Sequence, residues 1–397
     1  MKSEVKLSPE QLGKILSAAA VRERSHLVLE RCKAGQGLFE FQAQKLSSVS
    51  NFVMQVTRDN YPTLEVPYHS RLRHFQVGGV DRLARLRESL SEPNEWPYAL
   101  IDLVVTSVLL DGGSGPGWQY HESSTGKRWA RSEGLAVASL DLFLSGKMSS
   151  DGRSLRADRS ALVKFSKEIL ERGFQVSSTN PLAGVEGRVQ LLNSLGRALE
   201  NQTYFPNGRP SGWIDFVKRE FGLRVKAEDL LKVVLQSLGG IWPGRLKSNG
   251  QGLGDVWNFP PFGSSSEFEA LLPFHKLSQW LTYSLLESFE FAGIEVVETE
   301  GLTGLAEYRN GGLMLDSGLI TLKNPSMATQ VWPVDSELIL EWRGLTVALL
   351  DLIGRELGLA LPRVLEGGTW WAGRRLAEKA RPGGGPPFQI ASDGTVF

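Results

Sequence analysis

Apolar residues recur at helical spacing through most of the chain. Over residues 9–32, Leu12, Ile15, Leu16, Ala19 and Ala20 share one face. Ser8-Pro9-Glu10-Gln11 opens that helix with a capping serine, a first-turn proline and a capping-box glutamine. The same reading predicts helices over 46–59, 132–143 (capped by Ser132), 158–172, 185–200, 211–221, 226–238, 268–292 and 338–357, parted by Gly, Pro and Asn turns. Residues 97–110 are apolar nearly all round, which fits a buried helix or a buried strand equally. Residues 294–323, rich in Gly and β-branched side chains, suggest short strands or turns, and the chain closes with Pro-rich turns and an extended stretch at 387–397. No fixed-period repeat or low-complexity linker interrupts the pattern. The expectation is a mainly α protein with a few short strands. It would form a single compact domain over 1–397, with helical subdomains at about 1–150 and 151–397 as a finer division.

Charge narrows the partners. Lys+Arg and Asp+Glu both number 44, so the 397-residue chain has no formal net charge. Polyanion binders carry a basic excess because each phosphate contact releases counterions, so no nucleic-acid partner is expected. One cysteine, Cys32, allows no internal disulfide and no cysteine-based zinc site. The N-terminus lacks the apolar core of a secretory signal, and no apolar run approaches the roughly 18–20 residues of a membrane span. A cytoplasmic location without a membrane partner is the default, and the number of subunits is left open.

Several clusters could carry chemistry. His69, Arg71, Arg73 and His74 gather in six positions, either as a solvated face or as a positive pocket wall. The Gly-rich loop 111–118 tempts a dinucleotide reading, with Glu133 twenty residues beyond Gly113. The third-glycine spacing fails, however, Pro116 removes a donor, and no Gly-Lys-Ser/Thr follows. The five histidines show no helical metal-ligand spacing, and His121-Glu122 is only an isolated pair, so neither a metal nor another cofactor is expected. Gly-x-Ser-x-Gly in a strand-turn-helix setting is missing as well. The cluster hardest to read as core lies further on: His275, Lys276 and Gln279 in an apolar helix, then Glu307, Tyr308 and Arg309, then Glu341 and Arg343. Charges beside apolar faces are costly unless paired or used. An internal ion-pair network holding helices together is the competing account.

On these residues the chain resembles a known family. Pro67-Tyr-His-Ser-Arg-Leu-Arg-His-Phe75, Arg131-Ser-Glu-Gly-Leu-Ala-Val-Ala-Ser139 and Pro273-Phe-His-Lys-Leu-Ser-Gln-Trp-Leu-Thr-Tyr-Ser284 resemble the uracil catabolism protein 4 family. So do Gly301-Leu-Thr-Gly-Leu-Ala-Glu-Tyr-Arg-Asn-Gly-Gly312, Glu341-Trp-Arg343 and Ser392-Asp-Gly-Thr-Val-Phe397. The strings follow the family order along nearly the whole chain. A fainter similarity links Lys276-Leu-Ser-Gln279, Ala306-Glu-Tyr-Arg309 and Glu341-Trp-Arg343 to queuosine-nucleotide salvage N-glycosidases, which are helical and related in fold to helix-hairpin-helix DNA glycosylases. Leu365-Glu-Gly-Gly-Thr-Trp-Trp-Ala-Gly373 is at best hairpin-like.

The resemblance implies a hydrolase of pyrimidine degradation that cleaves the ribose–urea N-glycosidic bond of ribosylurea 5′-phosphate or a related nucleoside phosphate. A non-catalytic nucleotide-binding or complex-forming protein of the same pathway is the alternative. Glu307 would then take the place of the catalytic aspartate at the anomeric carbon. Lys276, supported by Arg309, would grip the phosphate. Asp111, Glu133 and Tyr308 are the candidates to meet the leaving group, and Trp118 would cover it. Gln279, His275, Glu341 and Arg343 complete the expected substrate-binding set.

Overall fold

In the computed structural model, which describes residues 4–115, 117–242, 246–264 and 267–391, helices carry the architecture and short strands pin their ends. The ambiguous apolar segment is helix Trp96–Leu109, started by Pro97 in its first turn and buried along almost its whole length. So apolar a helix must be surrounded, and it packs against helices Lys276–Phe291 and Arg131–Leu144. A second group forms around helix Glu337–Leu357, which lies against Ala18–Lys33, Leu46–Asn60 and Tyr308–Asp316. Both groups share one apolar core running from Val5 to Phe388. Each fully buried Leu, Val or Phe in it contributes about 1.5–3 kcal/mol.

Among the described residues the strands form two-stranded ladders only. Phe39–Phe41 pairs antiparallel with Ile320–Leu322, and Val256–Asn258 pairs antiparallel with Leu271–Pro273. The extended stretch expected near the C-terminus appears as Gln389–Ala391, parallel to Val331–Pro333. Residues 392–397, like Pro116, lie outside the described residues.

The mainly α expectation holds, with informative departures. The Ser8–Gln11 capping box forms as expected, but the helix it opens ends at Ile15. Ser17 takes extended geometry, donates to the Lys14 carbonyl and caps a new helix at Ala20 N, so local side-chain bonding wins over continuity. The 158–172 segment likewise divides into Arg159–Val163 and Lys167–Gly173, the second capped by Ser166. Helix 268–292 begins only at Lys276. Pro273 lacks a backbone donor and pushes its predecessor into extended geometry, so residues 271–273 join a strand ladder instead. Ser132 does not cap its helix, because its hydroxyl donates to Asp111.

Two helices arise where turns were expected. Tyr308–Asp316 contains Gly311 and Gly312, poor helix formers, and tertiary packing sustains it: a Cβ at Gly311 would run into the Trp342 ring at 2.6 Å. Leu361–Val364 continues through a π-helical turn, Leu365–Thr369, into Trp370–Ala380, so the segment whose sequence is at best hairpin-like is one helical run. Its last part, Trp370–Ala380, rests directly on Tyr308–Asp316, and a Cβ at Gly373 would collide with the Arg309 carbonyl oxygen.

Candidate active site

Three helices start at the wall of one cleft of about 490 Å³. Arg131–Leu144 contributes Arg131, Ser132 and Glu133, Lys276–Phe291 contributes Lys276, and Tyr308–Asp316 contributes Tyr308 with its cap Glu307. Helix starts carry partial positive charge and unsatisfied amides, so the cleft is electropositive at backbone level before any side chain is counted. The loop Asp111–Gly115 closes another side, held by buried Arg188, which donates to the Leu110 and Gly113 carbonyls at 2.9 and 2.6 Å. Trp370 and Arg374, one turn apart on their helix, complete the rim.

Glu307 is half-buried, and its carboxylate accepts from Arg309 N at 2.8 Å and Asn310 N at 2.6 Å. Burial lifts its pKa above the usual value of 4.5, outweighing the two amides and the charge of Lys276. Lys276 is pushed the other way, below 10.5, because burial outweighs the attraction of Glu307 and Asp111. Lys276 therefore lies within electrostatic reach of both carboxylates, although its ammonium makes no hydrogen bond among the described residues. Asp111 accepts from Ser132 Oγ at 3.1 Å and lies 3.3 Å from the guanidinium of Arg71.

Arg71 is fully buried behind this wall, bonded to Ser107 Oγ at 2.7 Å and to the Ser132 carbonyl at 3.1 Å. Its Nη1 also donates to His74 Nδ1 at 3.2 Å. A guanidinium only donates, so the Nε2 of His74 must carry the ring proton. Burial, then the neighbouring Arg71, hold His74 well below the ordinary histidine pKa, and the ring is neutral. His69 has the opposite partner: Nδ1 lies 2.8 Å from a carboxylate oxygen of Glu366, which also accepts from Tyr61. Both imidazoles line the cleft against the ring of Trp280, at centroid distances of 6.5 Å for His69 and 5.8 Å for His74.

Of the residues singled out from sequence, Glu307, Asp111, Lys276, Tyr308, Arg309 and Glu133 meet in this cleft. The others do not. Trp118 is buried against Phe174 and donates its indole N–H to that residue's carbonyl at 2.9 Å. Gln279 is buried one turn below Lys276, donating to Thr303 Oγ1 at 2.6 Å and accepting from Thr303 N at 3.0 Å, which fastens the strand of chain leading to Glu307. His275 sits in left-handed geometry with Nε2 on the Ile15 carbonyl at 2.9 Å. Glu341 accepts from Leu38 N and Phe39 N, away from the cleft. Arg343 forms a bidentate pair with Asp255 at 2.9 and 2.7 Å, and Asp255 in turn accepts from Lys276 N at 3.0 Å. The charges that looked unexplained thus divide into a cleft and the ion-pair network that shapes it.

Sequence reasoning missed Trp280, Arg131, Arg374 and Trp370 as lining residues. Trp280 had a readable signal, because it stands four residues after Lys276 on the same helix face. Trp370 and Arg374 had none, since their helix was not expected. The pair His121-Glu122 is no ligand set: Glu122 is buried in an ion pair with Arg82. Among the described residues no group of three or more His, Cys, Asp or Glu gathers in a way that could hold a metal ion, and no helix is long and apolar enough to cross a membrane.

Residues 14–397 match the profile of a family described as "Protein of unknown function (DUF1688)". The chain is 40% identical over 417 aligned positions to "Protein urg3" of Schizosaccharomyces pombe, covering 98% of this chain and 100% of that one. It is 36% identical over 429 aligned positions to "Uracil catabolism protein 4" of Lachancea kluyveri, covering 96% of this chain and 98% of that one.

Proposed function

Because the chain belongs to the DUF1688 family, full length against relatives one of which is named for uracil catabolism, we propose that it acts in that process as an N-glycoside hydrolase, cleaving the ribose–urea bond of ribosylurea 5′-phosphate or a close nucleoside phosphate. The observation that carries the reading is Glu307: a half-buried carboxylate, oriented by two backbone amides, lining a cleft that a lysine also lines.

N-glycoside cleavage passes through a sugar with oxocarbenium character and needs a negative group near its anomeric carbon. Glu307 stabilises that cation and takes a proton from the attacking water. The C1–N bond breaks with its electron pair on the departing nitrogen, water oxygen bonds to C1, and one proton passes from water to urea. Lys276, whose charge Glu307 and Asp111 both attract, favours the ionised form of Glu307 when a substrate excludes solvent. The phosphate grip expected of Lys276 passes in this reading to the rim. There Arg131, in the first turn of helix Arg131–Leu144, and Arg374 both line the cleft; Arg374 lies 3.8 Å from Glu133 and donates through Nε to Glu378 at 3.2 Å, which leaves its other guanidinium donors for a phosphate.

The direct test is incubation with ribosylurea 5′-phosphate, assaying urea and ribose 5-phosphate. A folded sample that releases neither, from this compound or from other nucleoside phosphates, rejects the reading. Replacing Arg131 and Arg374 together by alanine should weaken ribose 5-phosphate binding by roughly tenfold or more, and binding of ribose much less. Equal losses for both sugars in calorimetry would remove the phosphate from the rim.

The pH profile carries a signed expectation. Glu307 must be ionised and its pKa is raised, so activity should rise with pH along a limb lying above 4.5; Lys276 is lowered, so the alkaline limb should lie below 10.5. Lys276→Met removes a cation beside Glu307, so it should move the acid limb further up and lower kcat. An acid limb that stays in place in that variant contradicts the coupling.

A further inference from the structure

The leaving group of an N-glycoside is what distinguishes one nucleoside hydrolase from another, and the roles drawn so far for Glu307, Lys276, Arg131 and Arg374 do not meet it. Among the lining groups they leave unassigned are His69 and His74, which lie against Trp280. The two rings are set in opposite senses by partners outside the cleft. Arg71 occupies Nδ1 of His74 as a donor, so Nε2 of that ring offers an N–H. Glu366 occupies Nδ1 of His69 as an acceptor, and the Nδ1–H tautomer that this contact selects offers a lone pair at Nε2. Each Nδ1 is engaged, and each Nε2 is the nitrogen left for a ligand. Five residues apart in the chain, the two histidines thus present one donor and one acceptor beside a flat aromatic surface.

Resting on the reading of the cleft as a nucleoside-phosphate glycosidase site, we propose that His69, His74 and Trp280 form its leaving-group pocket and select a planar ureido or carboxamide group. His74 Nε2–H donates to the carbonyl oxygen, His69 Nε2 accepts from the terminal N–H, and the indole covers the plane. This pattern is self-consistent for urea, whose carbonyl and amino groups sit side by side. As the C1–N bond breaks, charge moves onto the ureido oxygen and the His74 hydrogen bond strengthens, so the pocket favours departure as well as binding. The proton that urea gains still comes from water by way of Glu307, because neutral His74 holds its own proton throughout. A purine carries its donor–acceptor edge on a bicyclic plane much larger than a ureido group, so size and not polarity sets it apart. The cleft volume of about 490 Å³ is ample for a pentose phosphate carrying a ureido group.

Asparagine substitutions separate the pocket from the framework. In His69→Asn the amide N–H can still reach Glu366, and in His74→Asn the amide oxygen can still receive Arg71, while both lose the Nε2 position. In a Glu307→Gln background, which removes turnover, ribosylurea 5′-phosphate and ribose 5-phosphate are titrated by calorimetry. Each asparagine variant should bind the ribosylurea compound about tenfold more weakly, with ribose 5-phosphate affinity unchanged. His74→Gln, which returns a donor near the Nε2 position, should recover most of the loss. Unchanged affinity for the ribosylurea compound, or equal losses for both ligands, overturns the pocket while leaving the glycosidase reading intact. A parent that binds neither ligand overturns that reading, and the pocket with it.

Discussion

Glu307→Gln should lower kcat for release of urea by roughly 10³-fold while leaving a folded protein that still binds its substrate. The magnitude follows from what the substitution removes: the negative charge beside a developing oxocarbenium ion and the base that receives the proton of water. The fold survives for a local reason. Glu307 caps helix Tyr308–Asp316 through Arg309 N and Asn310 N, and a glutamine oxygen can keep one of those bonds. Loss of a charge near a helix start costs about 0.3–1 kcal/mol. Part of that is returned, since burial already makes the ionised carboxylate unfavourable here, as its raised pKa records. The stability change should therefore be small in thermal melting, and the loss should appear in kcat far more than in KM. Turnover within tenfold of the parent would show that Glu307 is a helix cap and nothing more.

The same residue shows what a sequence can reveal. Glu307 and Lys276 lie apart in the chain, and what marks them in the sequence is charge beside apolar residues, which needs a reason; Asp111 enters only as a candidate to meet the leaving group. That argument identifies polar groups in trouble without saying which trouble they are in. Arg343 and Glu341 satisfied it equally well, yet one is answered by Asp255 and the other by the backbone of Leu38 and Phe39. Separating the two outcomes needs the partner's position, which is a long-range fact. Helix Lys276–Phe291 was legible because its apolar face repeats; its true start depended on Pro273 joining a ladder with Val256. Helices Tyr308–Asp316 and Trp370–Ala380 were illegible for a related reason. Their glycines weaken local propensity, and tertiary packing offsets that: Gly373 lets its helix approach the Arg309 backbone, and Gly311 leaves room for the Trp342 ring. The rim residues Trp370 and Arg374 vanished from view with their helix. His69 and His74 stood in a cluster already noticed, but their opposite polarities come from Glu366 and Arg71, and no spacing rule encodes that.

The second large effect concerns stability and reaches the cleft only through the frame. Glu122→Ala should destabilise the fold by about 3–5 kcal/mol, because it strands a buried guanidinium. Arg82 and Glu122 are both fully buried and joined by two parallel bonds, 2.6 Å from Nε and 2.7 Å from Nη2. The remaining Arg82 nitrogen donates to the Phe75 and Val77 carbonyls, so Arg82 ties the segment carrying His69 and His74 to the hairpin Tyr120–Glu122/Lys127–Trp129. Glu122 also accepts from Thr125 Oγ1 at 2.7 Å and Trp129 Nε1 at 2.8 Å, closing the hairpin two residues before helix Arg131–Leu144 begins at the cleft. Burial pushes the Glu122 pKa upward, but its donors, Arg82 foremost, outweigh that and hold it at about 2 against an ordinary 4.5. Its ionised form thus stabilises the fold fully above pH 4.5, and the contribution fades as pH falls from there towards 2. In denaturant melts the gap between parent and Glu122→Ala should be widest near neutrality and narrow progressively below pH 4.5. A gap that is constant across that range would mean the carboxylate is not what holds Arg82, and that the hairpin stands on its apolar contacts alone.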